Sequence, residues 1–224
     1  MSLTPLVMKY GVFAGNQHLN DCIYECFESL LEEDVRAFVK NFRTQDKEQA
    51  LHTFRELVLG TFLARQSLHP RYSEKLLGKT PDWCLHADAN QVVGIVELLN
   101  FHQASIVEKS MLDTLGKSET WVDWVPSNSE RLYQKLLQKA QAYDSEIAAI
   151  GVPYVVAIFG TFTAAVETDE LNDALFNDHD GGVFHQAPSL SGVLFFEESA
   201  GRYPFRYIAN PIATRPINFA SGVV

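Results

Sequence analysis

PDWCLHADANQVVGIVELL, residues 81–99, is the stretch whose reading decides the fold. Its second half, Gln91 to Leu99, is rich in β-branched residues and bounded, which is a strand signature. Its first half, Asp82 to His86, is short and leans apolar. Between them Ala87–Asp88–Ala89–Asn90 is turn-prone, because Asp and Asn side chains support tight connections. The three parts together predict a β-hairpin. Asp82 and Glu97 stand fifteen positions apart, a separation that lets a hairpin set both carboxylates on adjacent strands. Pointing to one side, they form a hard oxygen site suited to magnesium, which takes one or two carboxylates and keeps several waters. The Leu98 carbonyl is a further candidate ligand. A metal held there polarises a phosphodiester and lowers the pKa of a bound water.

On the N-terminal side, residues 20–43 carry Ile23, Phe27, Leu30, Leu31, Val35 and Phe38 mostly at three- and four-residue spacings, with no Pro or Gly. That predicts one amphipathic helix. After a polar break at 44–47, QALHTFRELVLGTFLARQ predicts a second, with Leu51, Phe54, Leu57, Val58, Phe62 and Leu63 on its buried side. His69–Pro70 reads as a loop. On the C-terminal side, 101–128 reads as an inserted helix and loop containing Trp121 and Trp124. Ser129 to Ile150 follows as a third helix, stopped by Gly151 and Pro153. Pro153 to Gly160 is nearly continuously apolar, the mark of a strand buried on both faces. Thr168 to Phe176 reads as a short helix capped by Thr168, Asn177 to Pro188 as a loop, and Ser191–Phe196 and Tyr207–Ile212 as strands. No internal repeat and no separating linker is present. The expectation is one α/β domain over 1–224, with a mixed central sheet flanked by helices. It comprises an N-terminal helix at 20–43, a core at about 47–160 and strand additions at 190–213.

Composition narrows the function classes. The chain has 224 residues, 46% of them hydrophobic, enough for a sizeable core. No window offers the roughly 18 uncharged apolar residues that a membrane span requires. The start of the chain lacks a basic segment ahead of its apolar stretch, so no secretory signal is expected. Three cysteines are too few for a disulfide framework. A soluble, reduced, cytoplasmic protein is the expectation, with no membrane partner. With 18 basic against 28 acidic residues the net charge is −10. That argues against a protein coating nucleic acid nonspecifically, since such binding comes from Lys and Arg. It is compatible with a local basic groove beside a cation-loaded site.

Several familiar motifs fail. Gly78–Lys79–Thr80 and Gly116–Lys117–Ser118 imitate a phosphate loop, but the glycine needed five residues earlier is Ser73 or Met111. His18, Cys22 and Cys26 share a helix face without a fourth zinc ligand nearby, and core packing explains the cysteines better. Asp178–His179–Asp180 with His185 forms a polar, Gly-flanked run. A solvated loop is its plainer reading, and a metal-independent ligand site there is a weaker alternative function.

The order of a Glu-bearing helix, a Pro–Asp strand, a Glu-ending strand and a Lys-bearing helix resembles the PD-(D/E)xK, or restriction-endonuclease-like, superfamily, in particular its uncharacterised bacterial members. The resemblance covers about residues 47–160. It matches Glu56 in Arg-Glu-Leu-Val-Leu to the helix Glu, Asp82 to the first metal carboxylate and Glu97 in Ile-Val-Glu-Leu-Leu to the second. Lys139 to Tyr143 is similar to the Gln-x-x-x-Tyr pattern of some members, with Lys in place of Gln. The superfamily's lysine normally follows the second carboxylate by two positions, where this chain has Leu99. In some members the lysine has moved to the following helix. Lys139 borders the apolar stripe of Leu132, Leu136, Ala140, Tyr143 and Ile147, whereas Lys135 lies about 40° further toward solvent. Lys139 is therefore the first candidate and Lys135 the second.

What the resemblance implies is a nuclease acting on DNA with magnesium or manganese. Asp82 and Glu97 would bind the metal, Glu56 would support it or its waters, and Lys139 would assist the nucleophilic water. The Trp121–Trp124 insert would form a wall of the groove or a partner contact, unless the rings simply pack in the core. Members of the superfamily often pair, so a homodimer belongs to the same expectation. Taken singly, each of these residues has an ordinary surface explanation. Leu99 and the net charge motivate the rival expectation of a catalytically inactive scaffold with a binding or regulatory role.

Overall fold

A computed structural model of the chain describes residues 17–43, 47–88, 91–101, 128–160, 166–177 and 181–224. The hairpin is its centre: β2 (Trp83–Asp88) runs antiparallel to β3 (Gln91–Phe101). Two further strands extend the sheet by parallel pairing, β4 (Tyr154–Gly160) on β3 and β5 (Leu190–Glu197) on β4. Antiparallel strands close both sides: β1 (His69–Tyr72) on β2, and β6 (Pro204–Ala209) and then β7 (Gly222–Val223) beyond β5. The result is a mixed seven-stranded sheet in sequential order β1 to β7.

Helices cover both faces, which makes the protein α/β. On one side lie α1 (Gln17–Glu28), α2 (Glu32–Phe42) and α3 (Lys47–Ala64). On the other lie α4 (Ser129–Gln141), α5 (Asp144–Ile150), α6 (Thr168–Phe176) and α7 (Gly182–Gln186). Alternating strand residues supply the two cores. Trp83, Leu85, Val96, Leu98, Ala157 and Phe159 pack with α1 to α3, while Ile95, Phe101, Val156 and Ile158 pack with α4 to α7. Every residue of β4 is buried, as a strand between two helical layers requires. In α3, Ala50, Phe54, Leu57, Val58, Leu59, Phe62 and Leu63 are buried around most of its circumference. A helix apolar nearly all round belongs between layers, and α3 lies between the sheet and the α1–α2 pair.

Several sequence expectations need correction. The single helix expected at 20–43 is two, broken at Ser29–Leu31, where the Ser29 hydroxyl donates to the Cys26 carbonyl and meets the Thr61 hydroxyl at 2.9 Å. The break lets Ile23 and Cys26 and then Phe38 and Phe42 bury against α3. The helix expected at 129–150 is likewise two. The chain turns at Ala142–Tyr143, where Lys79 Nζ donates to the Ala142 carbonyl and the Tyr143 ring stacks on Tyr154 at 5.5 Å. His69–Pro70 opens an edge strand rather than a loop, a place where the missing proline N–H is tolerated. The α6 cap is Glu167, in a reciprocal capping box with Glu170, and not Thr168. Residues 182–186 form a short helix where a loop was expected. The last strands are 204–209 and 222–223 in place of 207–212. The expected insert with Trp121 and Trp124 lies outside the described residues, as do Asp178, His179, Asp180 and the Gly116–Ser118 run. Among the described residues, no helix is long and apolar enough to cross a membrane.

Candidate metal-dependent active site

Strand register sets the geometry. Trp83 pairs with Val96 in the antiparallel ladder, so Asp82, one residue before β2, stands opposite Glu97. Residues directly opposite on an antiparallel pair project to the same face. The Asp82 carboxylate is held at the strand edge, its Oδ2 accepting the Leu98 N–H at 2.7 Å. The Leu98 backbone thus engages Asp82 through its amide. Glu97 is buried among the β3 side chains facing α4. Its Oε2 meets Lys139 Nζ at 2.5 Å. Lys139 is half-buried on the last turn of α4, whereas Lys135 is exposed. The structure therefore brings Lys139 to the carboxylates and leaves Lys135 at the surface.

Glu56 arrives from the opposite layer. Trp83, fully buried, donates its indole N–H to the Glu56 carbonyl at 2.9 Å. The ring lies over Gly60, where a Cβ would come within 2.0 Å of it. That close approach locks α3 onto β2 and fixes the turn that carries Glu56. The Glu56 carboxylate accepts the Tyr72 hydroxyl at Oε2 (2.6 Å) and meets His52 Nε2 at Oε1 (2.9 Å). Ligand atoms of His52, Glu56 and Asp82 all lie within 4.8 Å of one another.

The electrostatics are those of negative charge short of compensation. The Asp82 pKa is pushed up to about 8, first by burial and then by the charges of Glu97 and Glu56. Lys139 and the Leu98 N–H act in the opposite direction. Burial works to lower the His52 pKa, but its hydrogen bond and charge interactions with Glu56, helped by Asp82, outweigh that and raise it. Burial raises the Tyr143 pKa, and the neighbouring Glu97 carboxylate adds to it. Among the described residues Glu97 Oε1 is buried with no partner at hydrogen-bonding distance. A buried carboxylate oxygen left in that state is costly. Among the described residues the group whose ligand atoms could share a cation is His52, Glu56 and Asp82; Glu97 lies outside it, its Oε2 paired with Lys139.

All four candidate residues, Asp82, Glu97, Lys139 and Glu56, are thus gathered at one end of the β2–β3 ladder. Sequence reading missed His52, Asn100 and Tyr72 as members of the same cluster; Tyr143, matched there to the Gln-x-x-x-Tyr pattern, lies beside Glu97. His52 had one available signal: it precedes Glu56 by four residues and so shares its helix face. The rejected motifs have structural roles. Lys79 pairs with Glu146 at 3.0 Å and lies over the Tyr143 ring. Cys22 and Cys26 are core residues with their sulfurs 3.8 Å apart. No protein-family model matches the chain, and no curated protein or solved structure matches it significantly.

Proposed function

We propose that the chain is a divalent-metal-dependent phosphodiester hydrolase acting on DNA, built on a restriction-endonuclease-like core. The observation that carries the reading is the placement of Asp82 opposite Glu97 at the end of one ladder, with the Lys139 ammonium 2.5 Å from Glu97. Supporting it is the succession of α3, the antiparallel β1–β2–β3 meander, α4 and the parallel strand β4. Within it α3, β2, β3 and α4 correspond to the Glu-bearing helix, Pro–Asp strand, Glu-ending strand and Lys-bearing helix on which the resemblance rests. A lysine reaching the second carboxylate from α4, in place of one at position 99, supports the reading.

When bound, magnesium or manganese supplies Lewis acidity at a phosphoryl oxygen and lowers the pKa of water. The chain's own residues do the rest. Asp82 and Glu97 would hold the cation, with Asp82 kept in place by the Leu98 amide. Glu56 would support the cation or its waters from the α3 side. Lys139 orients the attacking water and stabilises the charge that builds on the phosphoryl oxygens.

The test is plasmid cleavage with magnesium or manganese by the wild type and by Asp82→Ala and Glu97→Ala. Loss of cleavage in both variants is expected, and equal activity in all three preparations overturns the reading. The net charge of −10 favours one rival, a non-hydrolytic binding scaffold. Calorimetric binding of magnesium or manganese that Asp82→Asn abolishes, together with cleavage, counts against that rival.

A further inference from the structure

The nearest neighbours of Glu56 form a line of side chains whose hydrogen-bond roles follow from one fact of chemistry. Arg55 donates through Nη1 to Asn100 Oδ1 at 3.3 Å. A guanidinium has donors and no acceptor, so it selects the oxygen of the Asn100 amide. The amide nitrogen, Nδ2, is thereby directed at His52 Nδ1, the contact that the structure contains. An amide N–H there requires Nδ1 to be the unprotonated, accepting nitrogen. In the neutral ring the proton then belongs to Nε2, which faces Glu56 Oε1 at 2.9 Å. At the far side Tyr72 donates to Glu56 Oε2 at 2.6 Å, and Asn41 Nδ2 donates to the Tyr72 oxygen at 3.0 Å. Both Glu56 oxygens and both His52 nitrogens are accounted for in one consistent set.

His52 is also near enough to Asp82 to be counted among potential metal ligands. A ligating imidazole needs a nitrogen lone pair facing the ion. Here one nitrogen carries the proton given to Glu56, and the lone pair of the other receives Asn100. We infer that His52 and Asn100 are positioning residues. Asn100, oriented by Arg55, sets the His52 tautomer, and His52 aims Glu56 Oε1 toward the Asp82 side of the cluster without ligating the cation itself. The inference rests on the proposed metal site for what Glu56 is aimed at. The tautomer it predicts does not depend on catalysis.

The experiment uses the full chain. In metal-free protein with 15N-labelled histidine, long-range proton–nitrogen correlation at alkaline pH is expected to show His52 protonated at Nε2, the signal being assigned by its loss in His52→Gln. Asn100→Asp places an acceptor against Nδ1 and is expected to move the proton there. Manganese affinity, read by calorimetry, is expected to fall roughly 10- to 100-fold in His52→Leu, the usual cost of losing an outer-shell partner. His52→Gln still offers an amide donor to Glu56 and is expected to bind manganese nearly as the wild type does. Three results overturn the inference: protonation at Nδ1 in the wild type, imidazole nitrogen coupling in the manganese spin-resonance spectrum, or equal weakening by Gln and Leu. A wild type that binds no manganese overturns the parent reading instead, and the tautomer measurement still decides this one.

Discussion

Two adjacent turns of α3 are buried for opposite reasons. From Leu57 to Leu63 the helix presents Leu57, Val58, Leu59, Phe62 and Leu63 to its neighbours, and their burial is directly stabilising. From His52 to Glu56 the same helix carries an imidazole and a carboxylate toward Asp82, Glu97 and Lys139. That second arrangement crowds carboxylates together at an electrostatic cost, as the raised Asp82 pKa records. The apolar turn makes the fold, and the polar turn is tolerated because Trp83 fastens both to the sheet. Substitutions in the two turns should therefore separate stability from chemistry.

The largest expected effect is on chemistry. Asp82→Ala and Glu97→Ala should reduce metal-dependent cleavage to the level of a mock preparation while unfolding remains cooperative. Lys139→Ala should lower the cleavage rate by roughly 10²–10³-fold, the usual cost of removing one donor that stabilises transition-state charge. Rates with a plasmid substrate, read beside denaturation curves, check both.

Gly60→Ala attacks the apolar side of the comparison. The new Cβ would lie 2.0 Å from the Trp83 ring, and a packed indole has no cheap escape. A loss of about 3 kcal/mol is expected, at the upper end for overpacking, and urea denaturation measures it.

Asp82→Asn attacks the polar side and should have the opposite sign. The folded-state Asp82 pKa of about 8 lies above its ordinary value of 3.8, so the folded chain keeps a proton that the unfolded chain releases. That contribution is complete below the unfolded pKa and is lost as pH rises through about 8. Asparagine keeps an oxygen for the Leu98 N–H and does not ionise. With a chelator present, the variant should exceed the wild type in stability above pH 8 by about 1–2 kcal/mol, allowing for partial solvent screening. Near pH 4 the two should agree. Added manganese should reverse the order by stabilising only the wild type.

The same contrast explains what was legible in the sequence. The hairpin, α3 and β4 could be read because periodicity and β-branching report burial, and burial made them. Asp82 and Glu97 could be read because a hairpin converts their separation into a shared face. The breaks at Ser29–Leu31 and Ala142–Tyr143 contain no Gly or Pro. They exist because Thr61, Lys79 and Tyr154 compete for the local groups, and those residues are distant in sequence. Asn100 was invisible for the same reason, since its partners His52 and Arg55 lie 48 and 45 positions away.

The smallest predicted effect is the sharpest control on the lysine assignment. Lys135 and Lys139 sit one turn apart on α4 and have similar helix propensity and charge. A field effect of basic residues on a DNA groove would make them nearly equivalent, whereas a specific role at the carboxylates would not. Lys135 is exposed, and Lys139 is in contact with Glu97. Lys135→Ala should therefore leave the cleavage rate unchanged and move stability by no more than about 0.5 kcal/mol, as exposed substitutions usually do. Parallel rates for the two variants decide between field and contact. Equal losses would assign Lys139 to the general potential of the groove, and a loss confined to Lys139→Ala would assign it to the reacting centre.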